Sequence, residues 1–214
     1  MLCALLGLPA VLAVQDTAIS IPLLGTIELG VAYYLLVPLA VSAGANGSNI
    51  LAGYNGMEAG VTAVASLPLL AFSFHRANAE AAILSSCLLA ACMAFLYYNH
   101  YPSRVFPGDV GTLAMGGALV LSAMLAKAEL LGFIIMVPHF GELLCKVSTR
   151  FASKEVIGHT QVSDEGLLVP PTYPAVVHAV MRRFPSTEKG LVLKMYILES
   201  LFAAAGLGIA LASS

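Results

Sequence analysis

From position 29 onward the chain alternates long apolar runs with short polar ones. The apolar runs cover 29–45, 59–74, 81–98, 110–126, 130–144 and 191–212. A helix needs roughly 20 such residues to cross a bilayer, and a backbone in lipid must satisfy its own hydrogen bonds. The six runs therefore predict an all-α, polytopic transmembrane helix bundle. The run at 1–14 is short and has no basic leader. It reads as the tail of a seventh, truncated span rather than as a signal peptide. Residues 15–28, with Asp16, Pro22 and Gly25, form a polar connector. Residues 1–214 make one transmembrane domain, and 146–189 is the long polar loop between its last two spans.

Composition agrees and excludes other classes. Hydrophobic residues make up 59% of the chain and charged residues 10%, where a soluble domain carries about 25% charged. A formal net charge of −2 leaves no basic stripe for nucleic acid. Cys3, Cys87, Cys92 and Cys145 lie in or beside apolar runs without CxxC spacing. Small buried hydrophobes account for them better than a zinc site or a disulfide framework.

Two polar stretches stand out, NGSNILAGYNGMEAG at 46–60 and YPSRVFPGD at 101–109. Each separates two apolar runs. Alternation of spans puts both on the same side as the 146–189 loop. That side holds Arg104, Lys146, Arg150, Lys154, Arg182, Arg183 and Lys189, against Arg76 and Lys127 opposite. The excess of basic residues makes it the cytoplasmic side. Within the loop, Asp164, Glu165 and Gly166 fall between β-prone pieces and predict a hairpin over 160–169. After Pro170, Pro171 and Pro174, the residues Ala175, Val176, Ala179 and Val180 recur at helical spacing ahead of Arg182 and Arg183. They predict a short amphipathic helix lying on the membrane surface.

Taken singly, the polar residues have ordinary explanations. Asn55 with Glu58 reads as a capping box, Asp109 as the N-cap of the span at 110, and the glycines as packing contacts. Taken together they ask for more, because Asn46, Asn49 and Asn55 exceed what one cap needs. A carboxylate with amide oxygens offers Mg²⁺ hard ligands and leaves room for water and substrate phosphates. Two helix N-termini opening on one face favour anions, and Phe106 offers a stacking face. The residues alone read as a magnesium-dependent phosphate or nucleotide site at the cytoplasmic membrane surface.

The pattern NxxNxLAGxNGxEAG at 46–60, followed by NxYPSRVFxGD at 99–109, resembles the polyprenyl-phosphate N-acetylhexosamine-1-phosphate transferases, glycosyltransferase family 4. Within them it is most similar to the eukaryotic and archaeal dolichyl-phosphate N-acetylglucosamine-phosphotransferase branch. The resemblance covers nearly the whole chain, which matches roughly the C-terminal two-thirds of the family's fold. It implies that Asn49 and Asp109 are catalytic Mg²⁺ ligands, that Asn55 contacts uracil and that Phe106 stacks on it. It adds Glu58, Arg104, Lys154 and His159 as contacts to sugar and pyrophosphate. The implied reaction moves GlcNAc-1-phosphate from UDP-GlcNAc to a polyprenyl (dolichyl) phosphate and releases UMP, opening lipid-linked glycan assembly. The implied setting is the bilayer of an archaeal plasma membrane or a eukaryotic endoplasmic reticulum, with the site facing the cytoplasm. A second copy of the chain as a homodimer, and a separate chain carrying the preceding spans, are further expected partners.

Two departures qualify the expectation. The family's Asp-Asp motif belongs to an earlier cytoplasmic loop, and no Asp-Asp pair occurs in these 214 residues. Stand-alone turnover is therefore not expected without the preceding segment, and a non-catalytic fragment or partner subunit is the alternative. The family's Pro-Arg-His-Arg cluster in the late loop is also missing, with Arg150, Lys154 and His159 as nearby substitutes. A transporter, the third class, would place ionisable residues inside the bundle. Glu142, Lys194 and Glu199 are the ones within spans, each expected near a span end.

Overall fold

The computed structural model describes residue 11 and residues 17–21, 25–149 and 160–213. The expectations for Cys3, Asp16, Arg150, Lys154 and His159, and for nearly all of the truncated first span, fall outside the described residues.

The expected polar connector carries a hairpin. Strand β1 (Ala18–Ile21) pairs antiparallel with β2 (Gly25–Glu28), Ala18 opposite Glu28. Helix α1 (Val31–Ile50) follows. It runs past the expected end at 45 and takes Asn46 and Asn49 into its last turns, so these two are helical residues and not loop residues. Glycine and asparagine are weak helix formers; packing overrides that here. A Cβ at Gly116 would run into the Gly44 carbonyl oxygen and the Ser48 hydroxyl. Helix α1 therefore meets α4 (Gly108–Leu125) backbone to backbone, as small residues allow between membrane helices. Asn46 turns its amide back on its own helix, Nδ2 donating to the Ser42 carbonyl at 2.7 Å.

Helices α2 (Met57–His75), α3 (Ala79–Asn99), α4 and α8 (Glu188–Ala212) are long and apolar enough to cross a membrane. Helices α5 (Glu129–Ile135) and α6 (Val137–Ser148) make a fifth candidate as a pair, bent by 56°. One span was expected over 130–144, interrupted by Pro138, His139 and Glu142. The bend sits at Met136, ahead of Pro138. A proline ring inside a helix collides with the carbonyl four residues back, here that of Ile134, and removes a donor. The molecule is a polytopic helical bundle.

Helix α2 is the most buried span and packs against α3 and α8. Its Ala63, Ala65, Leu69 and Phe72 meet Leu88 and Cys92 of α3, Leu119 of α4 and Leu131 of α5 in the main core. Gly60 lets α8 approach α2 closely: a Cβ there would overlap the Tyr196 hydroxyl and ring. The Tyr196 hydroxyl instead donates to the Gly56 carbonyl at 2.6 Å. Glu199, expected near a span end, lies near the middle of the 25-residue α8 and is 1% exposed. Lys194 does sit near a helix start, donating to the Phe184 carbonyl at 2.8 Å.

The late segment follows expectation in outline. Strands β3 (Gln161–Val162) and β4 (Leu168–Val169) form the hairpin, and Gly166 takes the left-handed turn at φ 76°. Helix α7 (Val176–Arg183) is the amphipathic helix. Its inward face is Val177, His178 and Met181. Val176, Ala179 and Val180, the residues whose spacing predicted it, line an open apolar groove with Cys145 and Phe184.

Candidate active site

Asn55 draws together the ends of the bundle. Its backbone N–H donates to Glu188 Oε1 at 2.8 Å and its Nδ2 to the same oxygen at 2.5 Å. Its Oδ1 accepts from the Ser103 backbone N–H at 3.0 Å. The 46–60 stretch, the 101–109 stretch and the start of α8 are thus tied at one point. Asn99 steadies the second stretch from within, donating to the Val105 carbonyl at 2.8 Å.

Neither capping explanation survives. Gly56, in the left-handed region at φ 85°, is the N-cap of α2, and Asn55 makes no cap bond. Glu58 reaches past Asn55, its Oε1 accepting from the Gly53 N–H at 2.7 Å. It is 7% exposed, so it lies under the loop and not on the open surface. Pro107 is the N-cap of α4, and Asp109 sits exposed in the first turn. The positive end of the helix dipole favours a carboxylate there.

One hydroxyl ties Asn49 to the first turn of α4, the turn that carries Asp109. Thr112 Oγ1 is 2.7 Å from Asn49 Oδ1, and also 3.1 Å from the Gly108 carbonyl and 3.2 Å from that of Asp109. The Asn49 amide and the Asp109 turn thus flank a residue only 2% exposed. A carboxylate and an amide oxygen are hard ligands of the kind Mg²⁺ takes, with water and phosphate as its other ligands. Among the described residues no group of three or more His, Cys, Asp or Glu could hold a metal alone. The pair fits a metal shared with a substrate phosphate, not a closed protein cage.

The residues that follow Asn49 open onto a pocket of about 460 Å³, within the size range of small-molecule sites. Residues 50–55 form one wall, with Phe106 and Glu188. Glu142 and Lys146 of α6 line another, and Thr160, Val162, Leu168, Tyr173 and His178 close it from the late segment. The Tyr54 hydroxyl shares a hydrogen bond with Thr160 Oγ1 at 2.8 Å across the opening. Phe106, 55% exposed, presents an open ring at the rim. Asn55 and Phe106 therefore share the pocket, and the polar atoms of Asn55 are already engaged. Arg104 is exposed and is not in the lining.

Several lining residues escaped the sequence reading. Lys146 Nζ donates to the Ile50 carbonyl at 3.1 Å, and Glu142 Oε2 accepts from the Val176 N–H at 2.7 Å. Glu142 thereby fixes the start of α7. His178 Nδ1 lies 3.2 Å from the Tyr173 carbonyl, which can only accept, so Nδ1 carries a proton. Its ring stands edge-on to Tyr173, centroids 4.7 Å apart. Burial pushes His178 below the ordinary histidine value; the Tyr173 carbonyl opposes this, and the Arg182 and Lys146 charges add to it. Burial pushes the Tyr54 phenol up, with the Thr160 bond pulling the other way. Tyr173 is raised by burial and by Glu142. The one signal for these residues in the sequence was a lone histidine at helical spacing after a proline cluster.

Comparison with known proteins bears on this geometry. The model of Glycosyl transferase family 4 matches residues 1–127. A Sulfolobus acidocaldarius protein named "Putative UDP-N-acetylglucosamine--dolichyl-phosphate N-acetylglucosaminephosphotransferase" is 31% identical over 205 residues, covering 92% of this chain and 61% of that protein. A Saccharolobus solfataricus protein of the same name is 28% identical over 200 residues, 90% of this chain and 60% of its own length. A phospho-N-acetylmuramoyl-pentapeptide-transferase of Anoxybacillus flavithermus is 39% identical over 124 residues, 56% of this chain and 38% of its own. The chain thus spans about three-fifths of the two archaeal relatives it matches. The family match takes in both signature stretches, the ones that Asn55 and Thr112 tie together, and on that ground the chain belongs to glycosyl transferase family 4.

Proposed function

We propose that this chain carries the nucleotide-sugar half of a membrane phosphotransferase that moves GlcNAc-1-phosphate from UDP-GlcNAc to a polyprenyl phosphate of the dolichyl type. The observation that carries the reading is that Phe106 and Asn55 line one pocket, while Thr112 ties Asn49 to the helix turn that carries Asp109. Uracil stacks on the exposed Phe106 ring. Asn55, held by Glu188 and Ser103, fixes the loop against which the base edge lies. The amino sugar faces Lys146 and His178, which stand where the family's basic cluster was expected. Lys154 and His159 are further candidate contacts, with Arg104 at the rim and Glu58 acting through the Gly53 backbone it holds.

Asn49 and Asp109 would hold Mg²⁺, which when bound offsets charge on the pyrophosphate. An oxygen of the lipid phosphate attacks the β-phosphorus. A new P–O bond joins lipid phosphate to sugar phosphate, the bond between the β-phosphorus and the bridging oxygen breaks, and UMP leaves with that oxygen. Positioning does most of the work in such a transfer, which suits a site built from helix ends tied by side-chain bonds. The pocket faces the cytoplasm, the side with the excess of basic residues. Impermeant labelling of cysteines placed at Arg104 and Glu165 from one side, and at Arg76 from the other, tests this orientation.

A second reading is a subunit that binds UDP-GlcNAc without turning it over. It is favoured by Asp109 being the single carboxylate in the Asn49–Asp109 pair. Membranes carrying the chain, given UDP-GlcNAc, Mg²⁺ and a polyprenyl phosphate, separate the two. UMP release lost in Asp109→Asn supports the enzyme; binding without UMP supports the subunit. UMP release unchanged in Asp109→Asn would contradict the metal assignment and the subunit reading together.

A further inference from the structure

Next to the Asn49–Thr112 contact lies a second, much smaller cavity of about 10 Å³. Four helices wall it: Ser48 comes from α1, Glu58 from α2, Thr112 and Met115 from α4, and His139 from α6. Three polar atoms of these residues have no hydrogen-bond partner among the described residues: Ser48 Oγ, Glu58 Oε2 and His139 Nδ1. The three residues are 5%, 7% and 2% exposed, so bulk water does not serve them. Leaving one buried polar atom unserved is costly, and three around one space are a pattern that needs an occupant. A space of roughly 10–15 Å³ on this measure is about one water, and a buried water wants two to four polar partners.

We propose that one ordered water occupies this cavity, bound by Ser48 Oγ, Glu58 Oε2 and His139 Nδ1, and that these three are positioning residues for Asn49. The second half rests on the metal reading given above; the first does not. Water offers two donors and two acceptors, so it complements a hydroxyl, a carboxyl oxygen and either imidazole tautomer at once. Ser48 immediately precedes Asn49 on the last turn of α1. Glu58 spends its other oxygen on the Gly53 N–H at 2.7 Å, so one carboxyl joins the water to the wall of the nucleotide pocket. His139 is pressed against α1, where a Cβ on Gly47 would come within 3.3 Å of its own Cβ. Thr112 borders the same cavity with the hydroxyl that meets Asn49 Oδ1. The water therefore cross-links α1, α2 and α6 one residue from the Asn49 amide that would hold the metal.

Two measurements on the purified chain test this. A high-resolution map should show a single peak within hydrogen-bond distance of all three atoms. A dry cavity, or a direct bond between His139 and Glu58, would overturn the water. Separately, Mn²⁺ titration followed by electron paramagnetic resonance in the presence of UDP reads the Asn49 site without turnover. Ser48→Ala and His139→Asn should each raise the half-saturating Mn²⁺ concentration severalfold, whereas Met115→Leu should leave it unchanged. Because both variants lose the same water, the double variant should be no worse than the worse single one. Multiplying shifts, or shifts equal to that of Met115→Leu, would overturn the positioning role. Failure of the unsubstituted chain to bind Mn²⁺ would overturn the metal reading and that role together, while the map still decides the water.

Discussion

Asn55 gives both its backbone N–H and its side-chain Nδ2 to a single oxygen of Glu188, at 2.8 and 2.5 Å, across 133 residues of chain. The first signature stretch is thereby locked to the start of the last helix, and the pocket between them inherits its shape from that bond. Hydrogen bonds to a charged group contribute about 1.5–3 kcal/mol. Glu188→Ala is expected to lower stability in detergent by that amount and to weaken UDP-GlcNAc binding in parallel. Glu188→Gln, which keeps an acceptor oxygen, should recover part of both. Unfolding and ligand titrations in which Glu188→Ala behaves as wild type would remove the lock.

Phe106 tests the base-stacking role apart from the scaffold. Its ring is more than half exposed. Phe106→Ala should weaken UDP-GlcNAc binding by about 1–3 kcal/mol, the range for base–aromatic stacking, and leave the unfolding temperature in place. Polyprenyl phosphate binding should hardly change. Equal loss of both ligands would point to damage to the fold.

Gly60 carries a stability prediction with no direct role in binding. A methyl group there would overlap the Tyr196 ring, whose hydroxyl is held by the Gly56 carbonyl. Gly60→Ala should cost about 1–3 kcal/mol, as overpacked cores do. Pairing it with Tyr196→Phe should relieve little of the loss, because the ring carbons Cζ and Cε1 are in the way as well as the hydroxyl; Tyr196→Leu should relieve it in part. Thermal unfolding of the four chains reads this, and full rescue by Tyr196→Phe would contradict the packing account.

His178 predicts a pH dependence. Burial depresses its proton affinity in the folded chain, while the unfolded chain takes up that proton near pH 6.5. Its contribution is complete above the unfolded value and drains away as pH falls below it toward the folded value. Unfolding midpoints measured between about pH 7.5 and 5 should therefore fall less steeply for His178→Gln than for wild type. Superimposable slopes would mean that His178 titrates alike in both states.

The outline of the bundle was readable because apolar run length and turn chemistry are local. So were the late hairpin around Gly166 and the helix before Arg182. What escaped depended on partners far along the chain. Asn49 looked like a loop residue because Gly44 and Gly47 are poor helix formers, yet close contact of Gly44 with Gly116 carries α1 through them. Asn55 and Glu58 match a capping box in spacing, but Gly56 takes the cap and releases both for longer-range bonds. Lys146 and His178 enter the pocket only because α6 bends at Met136 and Glu142 then holds the start of α7. The first hairpin has four-residue strands, too short for alternation to announce them beside Pro22.

The most direct test of the site is a structure of this chain with UDP-GlcNAc and Mg²⁺. The account predicts uracil against the Phe106 ring, the amino sugar between Lys146 and His178, and the pyrophosphate turned toward Asn49 and Asp109. Density for the nucleotide elsewhere on the bundle, or a pocket between Phe106 and His178 that stays without nucleotide at saturating UDP-GlcNAc, would contradict it.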